Sequence, residues 1–205
     1  GYANQFGLKL EILWFGSDVC TKQEGAPSWV DANYQGVLNS SGQTLFSNDG
    51  KKKLDKTDPN LLAKEKATVT ALMNHIRARI ISQNYADVVV GFQVLNEPTV
   101  INTETGVAGT DRSHSAYANS KWSAGGYTDA VIFNSDVMYD YLNGLAQAVK
   151  TSDYSVWTRT NTAQEWGLFV NVIVKKASAS NNYLDFVGQD PYVTTNSQAY
   201  AVVTN

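Results

Sequence analysis

The chain has 205 residues, 43% of them hydrophobic and 17% charged, with 16 basic against 19 acidic side chains and a net charge of −3. That length supports one domain with a substantial core, and the balance lacks the basic stripe of a nucleic-acid binder. No run approaches the roughly 18 consecutive apolar residues of a transmembrane helix. Cys20 is the only cysteine, so neither an internal disulfide nor a cysteine-rich zinc site can form. Gly1 opens the chain without a charged segment leading into an apolar one, so no signal peptide is visible. The 5 Trp, 11 Tyr and 7 Phe suit a core and are compatible with a sugar site.

The first predicted strand runs from Leu8 to Phe15. Leu8, Leu10, Ile12 and Trp14 form one face, and Lys9, Glu11, Leu13 and Phe15 the other. Lys9 and Glu11 fit a paired layer inside a barrel, and equally the solvated face of an edge strand. A long segment rich in Gly, Ser, Asn and Lys follows from Gly16 to Asp58; loops of that length are usually functional or flexible. Within it Lys51-Lys52-Lys53 reads as a solvated charge run. Asp58-Pro59 starts a helix, with Asp58 as N-cap and Pro59 at the first helical position. Leu62, Val69, Leu72, Met73, Ile76 and Ile80 then recur at helical spacing, and His75 lies off that stripe.

The next strand is the most distinctive stretch, Val88-Val89-Val90-Gly91-Phe92-Gln93-Val94-Leu95-Asn96-Glu97-Pro98. Seven of its first eight residues are apolar or Gly, as in a strand buried on both faces of a parallel sheet. Alternation puts Gln93, Leu95 and Glu97 on one face. If that face points into a barrel, Glu97 stands at the rim, and a carboxyl group beside an apolar floor can serve as an acid. Asn96 can both donate to and accept from a sugar hydroxyl, and Pro98 ends the strand. A strand end followed by a capping loop is the plainer reading of the same residues.

A second long loop extends to about Thr128 and carries Glu104, Asp111, Arg112, His114, Tyr117 and Trp122. It reads as a sugar-contacting loop or a metal site; one His beside one Asp is a poor ligand set, so no metal and no cofactor is expected. Phe133, Val137, Tyr141, Leu145 and Val149 mark the next helix. Tyr154 to Thr158 is a strand, with Arg159, Thr160 and Asn161 at its C-terminal end. Trp166 to Ala177 fits a helix, Leu184 to Gln189 a fourth strand ending on Asp190-Pro191-Tyr192, and Ser197 to Val203 the start of a further helix. Helix-to-strand links are short, whereas the first two strand-to-helix links are long. In a (β/α) barrel those loops build the active face. The βαβ order excludes all-α and all-β classes, and no G-x-G-x-x-G or Walker A motif follows a strand.

Gly91-Phe92-Gln93-Val94-Leu95-Asn96-Glu97-Pro98 resembles the fourth-strand signature of the clan A glycoside hydrolases. Gly7-Leu8-Lys9-Leu10-Glu11-Ile12-Leu13-Trp14-Phe15-Gly16 is similar to the third strand of their β-galactosidase-like members, near families 35 and 42. Asp185 to Tyr192 looks like the sixth strand of the same group. The resemblance implies an α/β fold of (β/α)8 TIM-barrel type and a retaining glycosidase with Glu97 as general acid/base. It implies Asn96 as a ligand of the hydroxyl beside the reacting carbon and Tyr192 as a residue near the nucleophile. Trp14, Asp18 and Asn161, at strand ends, are further candidates for sugar contact or for structural roles.

A whole barrel has eight strands in about 250 residues. Residues 1–205 are therefore expected to be a partial barrel of about four βα units; the resemblance, which matches these strands to the third to sixth, implies that the nucleophile ends a seventh strand beyond Asn205 and that this segment lacks hydrolytic activity alone. A cellulase- or mannanase-like endo-glycanase and a non-catalytic glycan-binding barrel are the alternatives. The expected partner is a carbohydrate, with no nucleic acid and no membrane, and the expected location extracellular or secreted.

Overall fold

The computed structural model describes residues 1–19, 26–47, 50–98, 111–163 and 180–190, and of residues 18, 19, 162, 163, 189 and 190 the backbone alone. Its elements are α1 (Tyr2–Gln5), β1 (Leu10–Val19), α2 (Ser28–Asn33), α3 (Pro59–Ser82), β2 (Val89–Asn96), α4 (Ala116–Gly125), α5 (Ala130–Lys150), β3 (Trp157–Ala163) and β4 (Phe186–Asp190). The four strands form one parallel sheet in chain order, β1-β2-β3-β4. Parallel neighbours need long crossovers, and α3 and then α5 lie within the first two. This is the expected α/β class, with β1 and β4 at the edges of the described sheet. The predicted segments 166–177 and 197–203 lie outside the described residues.

Helix α3 begins as its sequence dictates: Asp58 accepts the Asn60 N–H at 2.9 Å, with Pro59 at the first helical position. Its buried residues are Leu61, Glu65, Val69, Met73 and Ile80, a stripe stepping by four residues over its first three turns. Helix α5 buries Phe133, Val137, Tyr141, Leu145 and Val149, the predicted set. The two helices approach at Gly144, where a β-carbon would stand 3.1 Å from Leu62 Cδ1.

Both helices cover one face of the sheet. Register pairs Ile12 with Phe92 and Phe92 with Thr158, and Trp14 with Val94. Phe92, Val94 and Thr158 are fully buried there, and Trp14 stacks on Phe92 with ring centroids 6.4 Å apart. The row Leu13, Gln93, Arg159, Phe186 occupies the other face, where Leu13 and Phe186 remain 40% and 46% exposed. On this face Arg159 grips Glu11 through Nε–Oε1 at 2.5 Å and Nη2–Oε2 at 3.2 Å. Trp157 packs tilted against Phe186, with ring centroids 5.3 Å apart, and lies across Gly91, where any β-carbon would meet its ring at 2.2 Å. Lys9 does not pair with Glu11; its Nζ donates to the Asp87 carbonyl at 2.7 Å.

Three expectations need correction. The lysine run is not a solvated patch. Lys53 is 1% exposed, Lys52 Nζ donates to the Tyr34 carbonyl at 2.6 Å, and Lys51 Nζ to that of Ala26 at 3.3 Å. The cause is the set of antiparallel bridges Gly36–Leu54, Leu38–Thr44 and Phe46–Lys52, which folds the segment back on itself. The loop after β2 contains helix α4, capped by Ser115 on the Ala118 N–H and ended by left-handed Gly126 at φ +62°. Strand β3 starts at Trp157 and runs to Ala163, so Arg159, Thr160 and Asn161 lie within it.

Candidate active site

Parallel strands all end on the same edge of their sheet, and in α/β folds that edge carries the ligand. Here it gathers the end of β1, Asn96 and Glu97 after β2, and Asn161 on β3. Register sets β1 residue Val19 beside Asn96.

The end of β2 is unusual. Leu95 and Glu97 have φ of +58° and +45°, a region that bulky side chains rarely enter. Such residues cost on the order of 1–3 kcal/mol each and persist only where their surroundings hold them. The reversal at Leu95 overturns the simple alternation: Gln93 stays on the open face, but Leu95 is fully buried. Its Cδ2 reaches within 2.9 Å of the position a Gly16 β-carbon would take, beside Glu65 Oε1 and Trp14 Nε1 on the helix side. Glu97 therefore owes its direction to the turn, not to strand periodicity.

A network of amides holds that turn. Asn161 Oδ1 accepts from Gln93 Nε2 at 2.7 Å and from the Glu97 backbone N–H at 3.0 Å. Asn161 Nδ2 donates to Asn96 Oδ1 at 3.3 Å. Gln93 Nε2 also donates to the Leu95 carbonyl at 3.2 Å and to Asn96 Oδ1 at 3.4 Å. Gln93 and Asn161 are each only 4% exposed, whereas Asn96 and Glu97 are half-buried. A buried amide whose lone pairs and protons are met fixes geometry, because leaving any of them unmet carries a full desolvation penalty.

Of the residues singled out by sequence, the structure thus brings Asn96, Glu97 and Asn161 together. Trp14 does not join them. It lies on the helix-side face, and its indole N–H donates to Glu65 Oε1 at 2.7 Å. Asp18 sits at the end of β1 with only its backbone described, and Tyr192 lies outside the described residues.

Sequence reasoning missed Gln93 as a positioning side chain, and it missed Glu65. Glu65 is 7% exposed, and its carboxyl group accepts from Trp14 Nε1, from the Ser17 N–H at 3.3 Å, from Ser17 Oγ at 2.7 Å and from the Tyr141 hydroxyl. Lys56 Nζ adds contacts to the Ser17 carbonyl at 3.1 Å and to Ser17 Oγ at 3.0 Å. The signal was present: Glu65 lies four residues after Leu61 and four before Val69, inside an apolar stripe.

In the loop after β2, His114 Nε2 meets Asp111 Oδ1 at 2.8 Å. Burial pushes the Asp111 carboxyl up, but His114 and the Arg112 N–H outweigh it and hold it below the usual range. Arg112 stacks on Trp122, 4.4 Å from the ring centroid. Tyr127 donates to Asp136 at 2.7 Å; burial and that carboxylate push its phenol up to about 12. Among the described residues no cluster of three or more His, Cys, Asp or Glu side chains could hold a metal ion, and no helix is long and apolar enough to cross a membrane.

No protein-family profile matches the chain, and no curated protein matches it in sequence. Among solved structures, the crystal structure of a cold-adapted β-galactosidase from Rahnella sp. R3 matches with a TM-score of 0.50 and 14% identity. The match covers 94% of this chain and 30% of that one. At that identity the likeness is one of fold: this chain shares its mixed α/β architecture with a part, about 30%, of the length of a β-galactosidase.

Proposed function

We propose that the chain is part of a retaining glycoside hydrolase of β-galactosidase-like specificity, built on a (β/α)8 barrel of which β1 to β4 form one arc. The observation that carries this reading is the half-buried Glu97 at the C-terminal edge of a parallel sheet, on a turn held by buried amides. The fold likeness to a β-galactosidase supports the barrel, and the Asn96-Glu97-Pro98 signature supports the chemistry.

Glycosidic cleavage needs a proton delivered to the leaving oxygen while positive charge develops at the sugar carbon. Glu97 is the group that donates that proton and, in the second step, accepts one from water. Asn96 has its Oδ1 occupied by Gln93 and Asn161, which leaves its Nδ2 as the donor to the sugar hydroxyl beside the reacting carbon. A retaining enzyme also needs a nucleophilic carboxylate about 5–5.5 Å from the acid, a role this reading assigns to no described residue.

The test is Glu97→Gln in the full protein, assayed on β-galactosides with poor and with activated leaving groups. Loss of general-acid help lowers kcat/KM for the poor leaving groups by roughly 10²–10⁴-fold and spares kcat/KM for the activated aryl bond, whose kcat falls because water then lacks its base. Equal losses of kcat/KM on both, or a near-normal kcat/KM on the poor ones, would overturn the assignment. Parallel assays on β-glucan and mannan decide between this specificity and an endo-glycanase.

A further inference from the structure

We propose that Asn161 is a positioning residue: a buried amide on β3 that clamps the strained turn after β2 and thereby aims Glu97. Two left-handed non-glycine residues, Leu95 at φ +58° and Glu97 at φ +45°, flank Asn96. Left alone, such a turn relaxes toward the ordinary β or α regions. The Glu97 N–H lies in the peptide plane that joins Asn96 to Glu97, so relaxation of the turn upstream at Leu95 reorients that plane and carries the Glu97 α-carbon and side chain with it. The clamp is the bond from the Glu97 N–H to Asn161 Oδ1 at 3.0 Å.

Asn161 cannot yield easily. Its Oδ1 also takes Gln93 Nε2 at 2.7 Å, and its Nδ2 reaches Asn96 Oδ1 at 3.3 Å. One side chain on β3 thus holds a strand residue, the turn residue and the backbone of the acid. At 4% exposure it acts on a sugar through Glu97 and Asn96, not by touching it. An apolar residue at 161 leaves the Glu97 N–H and Gln93 Nε2 without this acceptor, and an aspartate keeps the acceptor while losing the donor.

The clamp itself can be tested without turnover. In the wild-type chain, a scalar coupling across the hydrogen bond between the Glu97 amide nitrogen and the Asn161 side-chain carbonyl carbon detects it directly. Amide exchange then reads its strength. Asn161→Ala should speed exchange of the Glu97 N–H by roughly tenfold or more, while Phe92 and Val94 in the same strand keep their protection. Asn161→Asp should restore Glu97 protection to within a few-fold of wild type. Absence of the coupling, uniform deprotection of β2 in the alanine variant, or no rescue by aspartate overturns the clamp. The coupling needs no variant, so the idea is decided even where the alanine chain fails to fold.

The catalytic consequence rests on the reading of Glu97 as acid. Asn161→Ala should then lower kcat/KM on poor leaving groups roughly 10²-fold, the scale of a 1 Å misplacement, and far less on activated ones. A clamp seen by exchange with no such split, in a protein whose Glu97→Gln variant does show one, refutes the aiming role; absence of the split in Glu97→Gln as well refutes the acid assignment and leaves the clamp intact.

Discussion

Replacing Gly16 by alanine is the sharpest structural test of how the end of β1 is held. Gly16 has φ +53°, which costs an L-residue roughly 1–2 kcal/mol. Its added β-carbon would stand 1.9 Å from Glu65 Oε1, 2.6 Å from Trp14 Nε1 and 2.9 Å from Leu95 Cδ2. The carboxyl group cannot retreat freely, because Trp14, Ser17 and Tyr141 all donate to it. Each buried partner left unmet costs about 1–3 kcal/mol. With one or two bonds broken, the substitution should destabilise the chain by roughly 2–8 kcal/mol, a large value for one methyl group. For a chain of this size that lowers Tm by about 4–32 °C. Urea unfolding followed by tryptophan fluorescence gives the free energy, with an unchanged slope as the check that only stability moved. In a Glu65→Ala background the closest clash is gone while those with Trp14 and Leu95 remain, so Gly16→Ala should then cost less by about the share of the broken carboxyl bonds. A loss below about 1 kcal/mol in the native background, or no difference between backgrounds, refutes the reasoning.

Further predictions concern the scaffold. Asp58→Ala removes acceptors of the Asn60 N–H and of the Gln35 N–H at 3.0 Å, and thermal denaturation should show a loss of about 1–2 kcal/mol. Asp185 accepts Lys150 Nζ at 2.6 Å and the Thr158 N–H at 2.7 Å. Burial pushes its carboxyl up, but these donors outweigh it and the net direction is down. A depressed carboxylate stabilises the fold above its unfolded pKa of about 3.9 and loses that contribution as pH falls through the folded value. Asp185→Asn should therefore cost about 0.5–1 kcal/mol at pH 7, a figure already discounted for solvent screening of this half-exposed pair. The gap from wild type should close below about pH 4; a gap independent of pH down to 2 contradicts the pairing. Tyr127, with its phenol at about 12, should titrate above an ordinary tyrosine in ring-carbon NMR. Tyr127→Phe should abolish that late step.

Much of the scaffold was legible because its signals are local. Asp58-Pro59 announces a helix start through one side-chain acceptor and one fixed φ. The period of Phe133 to Val149 names the buried face of α5, and the unbroken apolar run of β2 names a strand covered on both sides. What stayed hidden depends on neighbours distant in sequence. Three lysines in a row carry no hint that Lys53 is buried, since the bridges that cover it join residues up to 18 apart. Alternation divides β1 into two faces but does not say which meets the helices, so Trp14 read equally well as a rim residue. The left-handed turn at Leu95 has no glycine to mark it; amides from β2 and β3 hold it. Strand β3 was placed too early because Tyr154 and Val156 have strand-like side chains. Tyr154 instead sends its hydroxyl to the Val89 carbonyl at 2.7 Å, below the ladder proper.

The central claim is that Glu97 is the acid/base, and chemical rescue tests it most directly. In the full protein, Glu97→Ala should still form a glycosyl-enzyme from an activated aryl β-galactoside and then stall, lacking a base for water. Azide, which needs no base, should restore turnover and yield the β-galactosyl azide with retained configuration. Absence of azide stimulation, or wild-type hydrolysis without it, would contradict the assignment.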